Sequence, residues 1–259
     1  MILQNKVTLI SGVGPGLGRK LALEAAREGA RLVLGARSIE FLRRVAQEIC
    51  QAGGQAIAVP SDVTKREDCA RLVTEAIAAF GCVDCLVNVA YRPGPFGLFE
   101  HADLRAWRES MDVTLFGPLN MIQSVLPYMK GNGGSIVNIG SISTRAPLEN
   151  HGPNMVPKAA LMSATRQLAL ELGKYGIRVN NVIFGMLWGV PVENHLVAEA
   201  TSNGIAIEEL IADIAEKIPL KHIPPDEKCA KAILMILSDY ASEVTGASLD
   251  VNGGAFLPL

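Results

Sequence analysis

Short apolar runs rich in Val, Ile and Leu alternate along the chain with longer stretches whose apolar residues recur every three or four positions. The first pattern suits a strand covered on both faces, and the second suits a helix with one buried stripe. Read in order, it predicts strands over 6–10, 31–36, 55–60, 85–89, 135–139, 178–183 and 248–251. Helices are predicted over 17–28, 39–51, 65–80, a long region from 104 to 128, and 157–175. Strand–helix alternation of this kind implies α/β architecture, a doubly wound parallel sheet with helices on both faces. No linker, repeat or low-complexity tract divides the chain, so residues 1–259 read as a single domain. The stretch 190–221 is helical by pattern but breaks the alternation. An insertion at the carboxyl ends of strands in an open α/β sheet is where a substrate lid sits.

Composition narrows the functional classes. The 259 residues are 49% hydrophobic, enough for one sizeable core. A net charge of −2 with mixed signs offers no basic face for nucleic acid. No apolar stretch reaches the roughly 18 residues of a membrane span. The start, MILQNKVTLI, carries a lysine inside its apolar run and reads as the first strand, not a signal peptide. Five cysteines, an odd number, argue against a disulfide scaffold and for a reducing, cytoplasmic setting. Cys82 and Cys85 form a lone C-x-x-C, but Cys85 opens an apolar strand and reads as packing.

The run SGVGPGLG, residues 11–18, follows the first strand and opens the first helix. Gly12, Gly16 and Gly18 let the backbone turn and approach a pyrophosphate, and the helix start offers free N–H groups. A plain strand–helix turn also uses glycine; the position, first βα turn of a doubly wound pattern, points to a dinucleotide. After the second strand, where an acidic residue would hold the ribose diol, stand Ala36 and Arg37. A guanidinium pairs with a 2′-phosphate, which favours NADP(H) over NAD(H). The alternative for Arg37 is a solvated helix-capping residue. Asp62 and Val63 follow the third strand and suit the adenine amino group; alternatively Asp62 caps the next helix.

These elements, with "LVNVA" at 86–90, "GSIVNIGS" at 134–141, Lys158 in its helix, "IRVNNV" at 178–183 and "TGASLDVNGG" at 245–254, resemble the short-chain dehydrogenase/reductase family over nearly the whole chain. The resemblance implies a single doubly wound, Rossmann-type, seven-stranded parallel sheet. It sets Asn88 beside the nicotinamide-side ribose, and Leu17, Gly185 and Leu187 against the cofactor. Ser141 and Lys158 fill the family's serine and lysine positions, which implies that Ser141 binds the substrate oxygen and that Lys158 hydrogen-bonds the nicotinamide ribose and positions the cofactor. The tyrosine position, thirteen residues after Ser141, is Asn154, and the helper asparagine position is Thr114. A phenol beside an ammonium gives and takes a proton near neutral pH; an amide does not. Loss of a general acid costs roughly 10² to 10⁴ in rate.

Two other groups lie near the site in sequence. Tyr91 ends the fourth strand, on the carboxyl edge, or else packs on the loop RPGPFG. His151 sits three residues before Asn154 in the same loop, or is a surface histidine. His101, His195 and His222 show no metal spacing. The leading expectation is an NADP(H)-dependent oxidoreductase interconverting a ketone and a secondary alcohol, with Tyr91, His151 or a water held by Asn154 relaying the proton. The second is a catalytically silent dinucleotide-binding member, a sensor or structural subunit; a third is another reaction, such as reduction of an activated C=C bond. Apolar lid residues (Val192, Leu196, Val197, Ile205, Ile207, Leu210, Ile211) favour an apolar or cyclic substrate. Apolar residues on the 157–175 helix beyond one stripe, such as Leu161, Met162, Thr165, Leu168, Ala169 and Leu172, suggest a partner helix and so a homodimer or homotetramer.

Overall fold

The structure, a computed structural model, describes residues 1–257. Seven strands form one parallel sheet in the order β3-β2-β1-β4-β5-β6-β7: β1 Val7–Ser11, β2 Arg31–Ala36, β3 Gln55–Pro60, β4 Cys85–Asn88, β5 Gly134–Ser141, β6 Ile177–Phe184 and β7 Ser248–Val251. The helices are α1 Leu17–Arg27, α2 Ile39–Gln51, α3 Arg66–Phe80, α4 Leu104–Met111, α5 Gly117–Met129, α6 Gly152–Leu172, α7 Val190–Asn203, α8 Ile207–Glu216 and α9 Asp226–Leu237. Strand residues alternate between two cores. Ile10, Leu32, Leu34, Val87 and Val137 pack with α1, α2 and α9. Leu9, Val33, Leu86 and Ile136 pack with α3, α5 and α6. Register pairs Ser11 with Gly35 and Asn88, and Asn88 with Asn138, so the following loops leave from one edge. Strand order reverses between β1 and β4, which makes a crevice there.

Two helices differ from the sequence pattern. The long region 104–128 is broken by a π-helical turn, Asp112–Phe116, with Thr114 buried in it. The sixth helix starts at Gly152, not at 157, so Asn154 lies in its first turn and Pro157 inside it. Proline has no N–H for the carbonyl four residues back, here that of Pro153. Ser110 Oγ lies 2.7 Å from that carbonyl and 2.8 Å from the Arg92 carbonyl, so its single hydrogen is shared between the two acceptors.

Of the named apolar residues of α6, Leu161, Thr165, Ala169 and Leu172 are buried in the chain's own core, Leu168 packs against it, and Met162 is half-buried. They therefore carry no argument for a partner. Leu170, 80% exposed, and the exposed Val156, Phe116 and Tyr128 are the apolar groups that face out. The lid also differs. Leu196, Ile207, Leu210, Ile211 and Val192 pack with Trp188, Ile218 and Ile223 as a small core of their own, while Val197 and Ile205 are exposed. Cys85 is buried and its thiol is pushed up to about 12 by desolvation, and Cys82 is also raised by burial, so the C-x-x-C pair is packing. No helix among the described residues is long and apolar enough to cross a membrane.

Candidate active site

The glycine loop is shaped by contacts on both sides. Gly12 has φ +98°, and a Cβ there would meet the Ala90 amide nitrogen at 2.2 Å. A Cβ at Gly18 would sit 2.7 Å from the Gly12 carbonyl, so that glycine lets α1 pack on the turn. A Cβ at Gly16 would approach Pro191 of the lid at 3.1 Å, while Gly14 borders open space. No side chain caps α1 at Gly16; the Arg19 amide already donates to the Gly14 and Gly16 carbonyls, which leaves the Leu17 and Gly18 amides for an outside acceptor. Ser11 Oγ and Asn88 Oδ1 are buried beside this crevice without a partner. A cradle of this form fits the linked phosphates of a dinucleotide.

Around the nucleotide end, Arg37 is exposed just past β2. It does not cap α2: Ser38 does, accepting from the Phe41 amide. Asp62 Oδ1 accepts from the Thr64 amide at 3.0 Å and its hydroxyl at 2.8 Å, a turn that leads into α3. Burial pushes the Asp62 carboxyl up, but the Thr64 bonds and the charges of Arg37 and Lys65 outweigh it and leave it lowered. Val63 is buried, and its carbonyl accepts from Asn120. Gly185 sits close to Asn252, and Leu187 packs on the core.

At the other end, Ser141 closes β5. Its Oγ accepts from the Ser143 amide and lies 2.9 Å from Ser143 Oγ. Lys158 is 4% exposed and donates from Nζ to the Ile139 carbonyl at 2.6 Å. No carboxylate accompanies it, and burial pushes its ammonium down to about 8. The Tyr91 ring lies 5.2 Å from Lys158 Nζ. Tyr91 is half-exposed, and burial of the rest pushes its phenol up. Asn154 stands one turn before Lys158, with Oδ1 buried and unpartnered. Thr114 Oγ1 accepts from the Arg92 amide at 3.3 Å, so the helper position holds the loop after β4. Of the two readings for His151, its contacts match the loop histidine. Its Nδ1 lies 2.7 Å from the Glu149 carbonyl and its ring packs on Phe96, so its contacts are with the loop and not with Ser141 or Lys158. His101 and His195 pair with neighbouring glutamates at the surface, and no metal-holding cluster occurs among the described residues.

Sequence reasoning missed the bracing behind these groups. Asn88 Nδ2 donates to Asn138 Oδ1, Asn138 Nδ2 donates to Thr165, and Thr165 donates to the Leu161 carbonyl, a buried line from β4 through β5 to α6. An asparagine in the apolar run of β5 is the signal that marks it. Arg145, in the loop after Ser141, makes a two-pronged ion pair with Asp250 of β7 at 3.0 and 3.3 Å. A cavity of about 430 Å³ opens at the opposite edge of the sheet; Arg178 in its wall is spent on carbonyls of α9 and its following turn.

A glycine-turned crevice at the strand-order reversal, with a serine and a buried lysine on its carboxyl edge, defines a class: the α/β oxidoreductases that use a nicotinamide dinucleotide. Residues 12–255 match the family described as enoyl-(acyl carrier protein) reductase. The chain is 33% identical to L-rhamnose 1-dehydrogenase (NAD(P)(+)) of Azotobacter vinelandii over the whole of both chains. It is 31% identical to 3-oxoacyl-[acyl-carrier-protein] reductase of Staphylococcus epidermidis, covering 98% of this chain and all of that one. A solved structure of a short-chain type dehydrogenase/reductase from Mycobacterium ulcerans superposes with a TM-score of 0.89 at 30% identity, covering 98% of this chain and 91% of that chain. The chain belongs to the short-chain dehydrogenase/reductase family.

Proposed function

We propose that this protein is an NADP(H)-dependent oxidoreductase that interconverts a ketone and a secondary alcohol at a site with an altered proton relay. The observation that carries it is buried Lys158, 5.2 Å from the Tyr91 ring and bonded to the Ile139 carbonyl two residues before Ser141, in a fold whose first helix starts without a side-chain cap. Bound nicotinamide supplies the hydride. The chain supplies the rest. Gly12, Gly16, Leu17 and Gly18 hold the phosphates, and Asp62 with Val63 borders the adenine. Arg37 meets a 2′-phosphate, favouring NADP(H) over NAD(H). Asn88, Gly185 and Leu187 border the nicotinamide half, Ser141 binds the substrate oxygen, and Thr114 holds the loop that carries Tyr91. Residues 1–259 act as one dinucleotide-binding domain, with 190–221 as its lid, in a reducing cytoplasm that suits the free thiols.

The relatives' names point to L-rhamnose and to a carrier-bound 3-oxoacyl group, two unlike substrates, so the substrate is read from the chain's own apolar groups. Phe96 and Phe99 after β4, Met186 before the lid and Val190 at its start are all exposed, and they favour an apolar or cyclic substrate. Exposed Phe116, Tyr128, Val156 and Leu170 favour a homodimer or homotetramer through α5 and α6.

The test is NADPH oxidation with a panel of cyclic and long-chain ketones, alongside calorimetric titration with NADPH and NADH. Turnover, with tighter NADPH than NADH binding, is expected. Asn154 favours a second reading, a dinucleotide-binding member without turnover. Saturable NADPH binding with no ketone reduced selects that reading.

A further inference from the structure

We propose that Asn181 of β6 and Ser248 of β7 form a site for an internal water, beneath the residues that lead into Ser141. A row of polar side chains crosses the sheet at one level. Register sets Ser11 beside Asn88, Asn88 beside Asn138, Asn138 beside Asn181, and Asn181 beside Ser248. Register partners in a parallel sheet point to the same face. Here it is the face of α3, α5 and α6, on which Leu9, Leu86, Ile136 and Val179 pack two residues earlier. The middle of the row is satisfied, since Asn88 donates to Asn138 and Asn138 donates to Thr165. The β6–β7 end is not. Asn181 is 1% exposed, and neither its Oδ1 nor its Nδ2 has a partner. Ser248 Oγ beside it is also buried and unpartnered.

The chemistry of these atoms defines the ligand. An amide gives two donors and one acceptor oxygen, and a hydroxyl both donates and accepts. Neither residue is charged, so the site suits a small neutral molecule that donates and accepts as well. Neighbouring strands run about 4.8 Å apart, a span that one water bridges between two short side chains. Without it, three buried polar atoms each bear the cost of lost hydration. A missing side chain makes the room. A Cβ at Gly140 would meet Asn181 Oδ1 at 3.0 Å and Nδ2 at 3.1 Å, so the amide lies against bare backbone one residue before Ser141. The φ of Gly140 is not positive; the glycine is there for space. Asn180 supplies the contrast. It points to the other face and closes on protein, donating to the Val244 carbonyl and accepting from the Ala247 amide. On the far side, Arg145 donates to the Ser248 carbonyl at 3.4 Å and pairs with Asp250. The water and this ion pair therefore tie β7 to β6 and to the loop after Ser141.

The experiment is NMR of the whole protein carrying ¹⁵N-labelled asparagine, with Asn181→Leu to assign the side-chain amide. We expect cross-relaxation from a long-lived water to the Asn181 amide hydrogens, unchanged at saturating NADPH. Paired urea midpoints of Asn181→Leu, Ser248→Ala and the double variant give a second readout. Each single variant strands the water's remaining partner and should lower the midpoint, whereas the double variant should lose less than the two losses added. A site without water has the opposite sign: leucine copies the shape of asparagine and removes two unpartnered atoms, so Asn181→Leu would raise the midpoint. An Asn181 amide without cross-relaxation from water overturns the proposal, and so does a raised midpoint. A signal lost on adding NADPH places the water in the nucleotide crevice and overturns it too. Should Asn181→Leu fail to fold, Asn181→Ser assigns the amide and the water signal of the unaltered protein decides. None of these readouts depends on turnover, so failure here leaves the oxidoreductase reading standing.

Discussion

Gly12 and Gly14 lie two residues apart in the same loop and have opposite tolerances. A methyl at Gly12 meets the Ala90 amide at 2.2 Å and sits at φ +98°, whereas a methyl at Gly14 meets nothing within 4 Å. Backbone strain and overpacking each cost about 1–3 kcal/mol. Gly12→Ala should therefore lose several kcal/mol in urea unfolding, and Gly14→Ala should match the parent. Ser110 is a second such point. With Pro157 unable to donate to the Pro153 carbonyl, Ser110→Ala removes the one hydroxyl that reaches both it and the Arg92 carbonyl, and unfolding should become easier by about 1–3 kcal/mol. The glycine positions are legible in the sequence because their demand is local. Ser110 is not, because its partner lies 43 residues away.

At the scale of elements, the lid is a satellite with a small core. Leu196 is fully buried there among Ile218, Ile223 and residues of α8. Truncating a buried leucine costs about 2–5 kcal/mol, more than a small satellite holds. Leu196→Ala should speed hydrogen exchange across 190–216 while β5 and β6 keep their protection. The strands were legible because a parallel sheet demands continuous apolar runs; 31–36, 55–60 and 248–251 match residue for residue. The start of α6 was not. A proline inside a helix and a proline at its first turn look alike in sequence, and only the Ser110 contact decides between them. The lid's apolar residues were visible too, but the pattern gives no direction, and they face each other rather than a ligand.

For the whole molecule, Lys158 carries a pH signature. Its folded value, about 8, lies below the ordinary 10.5, so the folded state binds fewer protons between these values. Stability attributable to this group therefore rises as pH climbs from 8 to 10.5, and below 8 the buried ammonium is a standing penalty. At about 1.4 kcal/mol per tenfold, the penalty is on the order of 3 kcal/mol. Lys158→Met should be more stable than the parent at pH 7, with the difference closing by pH 10, measured as paired urea midpoints. That the lysine proposed for the site weakens the fold fits the general trade of stability for activity. Ser141 and Lys158 were legible through family spacing. The contact of Tyr91 with Lys158 was not, because it joins β4 to α6 across the sheet edge.

The thiols have a practical consequence. Four of the five are sheltered: Cys69, Cys85 and Cys229 are buried and Cys82 partly so, each with its proton held more firmly than usual by desolvation. Cys50, near the tail of α2, stands in the open. A maleimide dye at neutral pH should thus mark one place on the unaltered protein, on the helix that starts beside Arg37. That native handle, at the far end of α2 from Arg37, gives one fixed place for a dye without engineering a single residue.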